Sequence, residues 1–206
     1  MFALPPLDPG FEMSVASHGM SKGIEQVDGP QVIPRAYLQV GDVQVGGQWK
    51  NITSTSADGE ASAFVNINHN LGWLSLTLGA AYKSQTNADP GTDSNSLEFT
   101  GGLAKKFGKL SLKATAIYSP DDAGKTKQSL YVEGGPSYEL TKTLRLSANI
   151  GHRSRANSPD YTSMNLGVTK SVFRAFSIDL RYYRTNRSEL GDIYRRRIVL
   201  AGRWVF

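Results

Sequence analysis

The sequence predicts an all-β fold: a transmembrane antiparallel up-and-down β-barrel closed from about twelve strands. Two observations carry most of this expectation. Apolar residues recur at every second position in run after run, and the links between runs alternate between short and long. A third observation supports it, because aromatic residues of the apolar parity gather at the two ends of the runs.

Taken in order, the first run covers 11–22, and a polar link at 23–30 leads to the second at 31–41. Gly41-Asp42 turns the chain into 43–52, and the link 53–59 carries it to 60–70. Asn70-Leu71-Gly72 leads into 73–84, followed by 85–95, the longest expected link and a solvated loop tip. The next runs are 96–107 and 110–119, joined by Gly108-Lys109. In the latter, Leu110, Leu112, Ala114, Ala116 and Tyr118 alternate with Ser111, Lys113 and Thr115. The link 120–128 opens 129–140, and Thr141-Lys142-Thr143 turns into 144–153, where Leu144, Leu146, Ala148 and Ile150 alternate with Arg145, Ser147 and Asn149. After 154–160 comes 161–172, then the turn Phe173-Arg174-Ala175 and the run 176–185, with Phe176, Ile178, Leu180 and Tyr182 of one parity. The link 186–193 leads to the last run, 194–206.

A helix would scatter these apolar residues around its surface, whereas a strand puts them on one face. Runs of about ten residues are long enough for a tilted strand to cross a bilayer core. Short turns on one side and long loops on the other are the habit of outer-membrane barrels, not of Greek-key sandwiches. Because the first link is long, both termini are expected on the periplasmic side. Trp49, Tyr82, Tyr118 and Tyr182 stand at the long-loop ends; Phe11, Tyr138, Phe176, Trp204 and Phe206 stand at the short-turn ends. Leu112, Leu146, Ile178, Leu180 and Leu200 are expected to face lipid near mid-membrane. The whole chain, 1–206, reads as one barrel domain, with 1–10 as a short periplasmic extension.

Composition narrows the function classes. Hydrophobic residues make up 39% of the 206, and no stretch approaches the roughly 18 consecutive apolar residues of a membrane helix. Twenty-one glycines, nine tyrosines and no cysteine suit a β-rich protein that uses neither disulfides nor thiolate–metal chemistry. The 23 basic and 18 acidic residues are scattered, not gathered in a stripe, which argues against nucleic acid as a partner. Met1 to Leu7 shows no basic segment followed by a long apolar core, so the expectation is a mature outer-membrane chain whose signal peptide has been removed.

The last run ends Ile198-Val199-Leu200-Ala201-Gly202-Arg203-Trp204-Val205-Phe206, which resembles the C-terminal signal read by the barrel-assembly machinery. Ser17-His18-Gly19-Met20-Ser21-Lys22-Gly23-Ile24-Glu25-Gln26-Val27-Asp28-Gly29-Pro30 resembles the N-terminal pattern of the TorF family of porins. In that pattern a strand leads into Arg-Gly-Ile-Ser-Gln-x-Asp-Gly and then Pro; here Lys22 replaces the Arg and Glu25 the Ser. Gly151-His152-Arg153, Asp160-Tyr161-Thr162 and Asn165-Leu166-Gly167-Val168 are similar to the same family. The resemblance covers both ends and much of the C-terminal third, and it implies a barrel and, by the family's designation, a porin.

Parity opposite to the apolar set places Arg35, Lys50, Lys113, Arg145, Arg181, Arg195, Arg197 and Arg203 inside, with Glu12, Glu60, Glu98, Glu133, Glu139 and Asp179. Such charges need either a water-filled bore or partners of opposite sign. Three readings follow. The leading one is a non-enzymatic channel for passive diffusion of small polar solutes or ions, with a slight anion preference from the inward arginines Arg145, Arg181, Arg197 and Arg203. The alternative is a structural or partner-binding barrel whose lumen is closed by salt bridges. The third is a lipid hydrolase using His152 and Ser154, which share a face, although no acid on their run orients the histidine. No cofactor, metal or catalytic set is expected, since His18 and His69 fall in different runs without ligand spacing. Expected partners are outer-membrane lipid and lipopolysaccharide and the barrel-assembly machinery, with self-association or a larger surface assembly left open.

Overall fold

The computed structural model describes residues 7–53, 57–124 and 126–206. Twelve antiparallel strands close into one barrel. They are β1 (Asp8–Ala16), β4 (Gln31–Val40), β5 (Val43–Asn51), β6 (Gly59–Asn70), β7 (Ser75–Thr86), β8 (Asn95–Phe107), β9 (Leu110–Asp122), β10 (Lys127–Glu139), β11 (Leu144–Arg155), β12 (Tyr161–Phe173), β13 (Phe176–Thr185) and β14 (Arg197–Val205). Each barrel strand pairs with its neighbours in sequence order, apart from a small hairpin, β2 (Gly19–Ser21) and β3 (Ile24–Val27), which forms its own sheet.

Closure is made by β1 against β14, with Glu12 opposite Val205 and Ala16 opposite Ala201. The backbone of Phe206 continues the ladder, its N–H donating to the Phe11 carbonyl at 2.8 Å. Closure leaves the barrel sheet, over the described residues, without an unpaired edge, which is what a strand protein needs in lipid. β1 begins and β14 ends at the short-turn end of the barrel. Of the residues expected to precede the barrel, Asp8–Gly10 already belong to β1, and 1–6 lie outside the described residues.

Hydrophobicity is arranged inside out. The five leucine and isoleucine sites expected to face lipid are exposed, Leu180 at 51% and Leu200 at 54%, while the inward residues Ser119, Ser129, Ser163 and Asn165 are buried. Water would not sustain this distribution, and lipid requires it. Trp49, Tyr82 and Tyr118 are exposed toward the long-loop end, and Phe11, Tyr138 and Phe206 toward the short-turn end. At the short-turn end Phe176 stacks on Trp204 with ring centroids 4.4 Å apart.

The largest departures from the sequence reading lie at the hairpin, before the last strand and between β9 and β10. The run 11–22 is not one strand: β1 stops at Ala16, and the chain turns into the β2–β3 hairpin. The run 194–206 is shorter, because two 3₁₀ turns, Ser188–Leu190 and Asp192–Tyr194, precede β14. The longest connection between barrel strands other than the hairpin segment is therefore the one before β14, not 85–95. Strands β9 and β10 also run on to Asp122 and from Lys127, leaving a link shorter than the expected 120–128.

Candidate functional site

The hairpin is the feature that shapes the interior. Lys22 and Gly23 have consecutive positive φ angles of 49° and 82°, the two-residue turn whose twist suits a hairpin, and Ser21 pairs with Ile24 across it. Gly23 is needed twice over. Its conformation disfavours a side chain, and a Cβ would collide with the side chain of Ser163 on β12.

Docking fixes the hairpin across the bore at the long-loop end. Ile24 packs with Tyr161 and Tyr194 in a buried apolar cluster, the two rings meeting edge-on at 5.5 Å. The Tyr161 hydroxyl donates to the Lys22 carbonyl at 2.8 Å, and the Thr53 N–H donates to the Gln26 carbonyl at 3.1 Å. Charges finish the attachment. Arg197 grips both oxygens of Glu25 at 2.7 and 2.6 Å, Lys50 donates to Gln26 Oε1 at 2.8 Å, and Lys22 reaches Glu98 at 2.5 Å. Burial pulls the Lys22 ammonium below the ordinary lysine range, and the Glu98 carboxylate opposes that pull.

Polar cavities lie on both sides of the hairpin tip. The larger, about 470 Å³, extends into the barrel and is lined by Tyr131, Glu133, Asn149, Asn165, Arg181 and Tyr183. The smaller, about 200 Å³, opens toward the long loops between Lys50, Glu60, Gln85, Asp122 and Arg153. Both have room and hydrogen-bonding partners for water. An apolar hollow of about 390 Å³ at Tyr138, Leu146 and Leu166 lies on the outer face and belongs to the lipid-facing surface.

The residues singled out from the sequence fall as follows. Lys50 pairs with Glu60 at 3.0 Å, and Glu98 lies between Lys22 and Lys83, the latter at 2.6 Å. Arg181 lies over Gly167, held by Asp179 at 3.1 Å, Asn165 at 2.6 Å and Ser147 at 3.0 Å. Arg203 pairs with Glu12 at 2.8 Å, and Arg145 stands 3.6 Å from Glu139 at the short-turn mouth, where Lys106 also reaches Glu139. Arg197 binds Glu25 and Asp192. All four arginines expected to bias the bore therefore have carboxylate partners. Arg35 instead bonds Gln44 and sits 4.2 Å over the Phe64 ring. Among the described residues, Arg35 and Lys113 have no carboxylate within 4 Å, and Glu133, bonded by Tyr131 and Asn165, has no basic partner. Arg195 is not on a wall strand; it follows the second 3₁₀ turn, is exposed, and pairs with Asp192.

Lys83, Lys106 and Arg153 were missing from the inward set, although each directly adjoins an outward aromatic or histidine, which is the signal that finds them. Lys22 had no such signal, because it sits on the hairpin.

The structure gives His152 and Ser154, the pair of the hydrolase reading, different hydrogen-bond partners. His152 Nδ1 lies 3.0 Å from Thr162 Oγ1, whereas Ser154 donates to Asp160 at 3.3 Å, so the two residues engage separate partners. His18, Glu25 and Asp28 do come together, with His18 Nδ1 3.0 Å from Glu25. Arg197 already occupies both Glu25 oxygens, and a guanidinium so placed opposes a cation, so the set is an ion-pair cluster.

An inside-out barrel with a charged, partly hollow interior belongs to the class of transmembrane β-barrels of the outer-membrane type. In fold the chain is similar to the KdgM porin, with a TM-score of 0.69 and 8% identity over 96% of this chain and 99% of that one. It is also similar to the NanC porin, with a TM-score of 0.63 and 7% identity over 95% of this chain and 97% of that one. For the COG4313 outer membrane channel from Pseudomonas putida F1 the TM-score is 0.57, with 11% identity over 100% and 96% of the two chains. No family model and no curated protein matches the sequence.

Proposed function

We propose that this chain is a narrow outer-membrane channel for passive diffusion of small polar solutes and ions, with a slight preference for anions. The observation that carries the reading is the charged and amide-rich interior around two cavities that together run from the long-loop mouth past the hairpin tip. A dry interior would leave Arg35, Lys113 and Glu133 without the solvent or counter-charge that buried charges need. The anion preference rests on a different set from the arginines first considered. It comes from Arg35 and Lys113 and from local excesses of base: Lys22, Lys50 and Lys83 share Glu60 and Glu98, and Lys106 and Arg145 share Glu139. Twelve strands enclose more room than eight and far less than sixteen, so the bore suits small solutes only. The N-terminal and C-terminal likeness to the TorF family supports the same reading, with both termini toward the periplasm.

One observation favours the closed, structural alternative: the hairpin crosses the bore and nearly every inward cation has a carboxylate partner. Liposome swelling separates the two. Refolded protein in liposomes should admit small sugars and amino acids at rates that fall steeply with solute size. A chain that admits none of them, while its circular dichroism shows a folded barrel, is the closed form.

A further inference from the structure

We infer that the selectivity constriction of this channel is the Lys22–Glu98–Lys83 bridge, where the hairpin tip meets the wall strands β7 and β8. The inference rests on the channel reading and deepens it. The cavities on the two sides of the hairpin tip have four lining residues in common, Ser21, Lys22, Lys83 and Glu98, and differ in the rest. A solute moving from one cavity to the other must pass between those side chains. Lys22 reaches Glu98 at 2.5 Å from the hairpin, and Lys83 reaches it at 2.6 Å from β7, so the bridge spans the gap from plug to wall.

The hairpin backbone is not what moves. Its exit would strip Ile24 from Tyr161 and Tyr194 and break the Tyr161 hydroxyl bond to the Lys22 carbonyl. It would also part Glu25 from Arg197 and Gln26 from Thr53. Lysine and glutamate side chains rotate among many rotamers, so they open the gap at far smaller cost. The chemistry of the bridge also sets its preference. One carboxylate lies between two ammoniums, and Lys50 with Glu60 stands beside them. An anion in transit replaces Glu98 as the counter-charge of Lys22 and Lys83. Among the four shared residues a cation finds only Glu98, already held by two lysines.

The test uses the full chain, refolded and inserted in planar bilayers under a potassium chloride gradient. Glu98→Gln removes the counter-charge, so conductance should rise severalfold and the reversal potential should move further toward that of chloride. Lys22→Gln combined with Lys83→Gln should move the reversal potential the opposite way. The chain has no cysteine, so Ser21→Cys supplies a unique thiol between the cavities. An anionic methanethiosulfonate reacting there should block the current. Wild-type conductance and selectivity in both charge variants, or an unblocked current after complete modification of Ser21→Cys, overturns the assignment. A chain with 19–27 replaced by a short glycine–serine link separates the two levels of inference. If it conducts while the charge variants behave as wild type, the constriction lies elsewhere in a real channel. If it is silent, the channel reading fails and takes the constriction with it.

Discussion

Arg181 and Leu180 are neighbours in β13 that live in different solvents. Arg181 is three-quarters or more enclosed by Asp179, Asn165, Ser147 and the bare backbone of Gly167, while Leu180 is 51% exposed on the outer face. Period two assigns each its side without further information. Leu180→Arg should therefore lower the unfolding free energy in bilayers by about 2–4 kcal/mol, as expected for a cationic side chain at mid-membrane. Unchanged stability in urea titrations of the liposome-inserted protein would mean that the two faces of β13 are reversed. Tyr161→Phe probes the opposite situation, a single polar atom inside the bore. It removes the hydroxyl that donates to the Lys22 carbonyl while keeping the ring on Ile24 and Tyr194. The expected loss is about 1 kcal/mol, read as faster amide exchange in 19–27.

At the scale of the element, strands were legible and the hairpin was not. Strands such as β11, β12 and β13 announce themselves because an apolar stripe in lipid permits few exceptions. The segment 11–22 misled for a physical reason: Phe11, Met13 and Val15 alternate cleanly, and Met20 further on is apolar too, although of the opposite parity. Met20 belongs to the hairpin, and Ile24, inside what reads as a polar link, is apolar because it packs the hairpin against Tyr161 and Tyr194. The turn itself uses Lys22-Gly23, not the Asn-Gly or Asp-Gly pair that marks such turns most strongly. Parity also names the face of a wall residue but not its partner across the bore. That is why Arg197 was placed inside while its bond to Glu25 went unseen. Gly23→Ala tests the element as a unit. With φ at 82° and Ser163 in contact, the alanine should loosen the hairpin. Amides of 19–27 should then exchange faster while those of β9 to β12 keep their protection. Equal exchange in both proteins would mean that the hairpin is not held by that contact.

The whole molecule reverses the usual plan of a folded protein. Its outer surface is apolar, and its largest buried side chains are polar or belong to the patch where the hairpin docks. Strand number, closure and the placing of both ends at the short-turn side were readable from the rhythm of links, because a closed barrel with short turns at one end permits little else. What fills the bore was not readable, since a polar loop has the same composition whether it lies over the mouth or folds into it. The transport claim therefore depends on a space that only the three-dimensional structure defines. Single-channel recording of the refolded wild-type chain under a potassium chloride gradient tests that claim most directly. Small, uniform current steps with a reversal potential displaced toward chloride are expected, and removing Arg35 and Lys113 charge by Arg35→Gln and Lys113→Gln should reduce the displacement. A folded, inserted barrel that passes no current, or one that reverses on the potassium side, would contradict it.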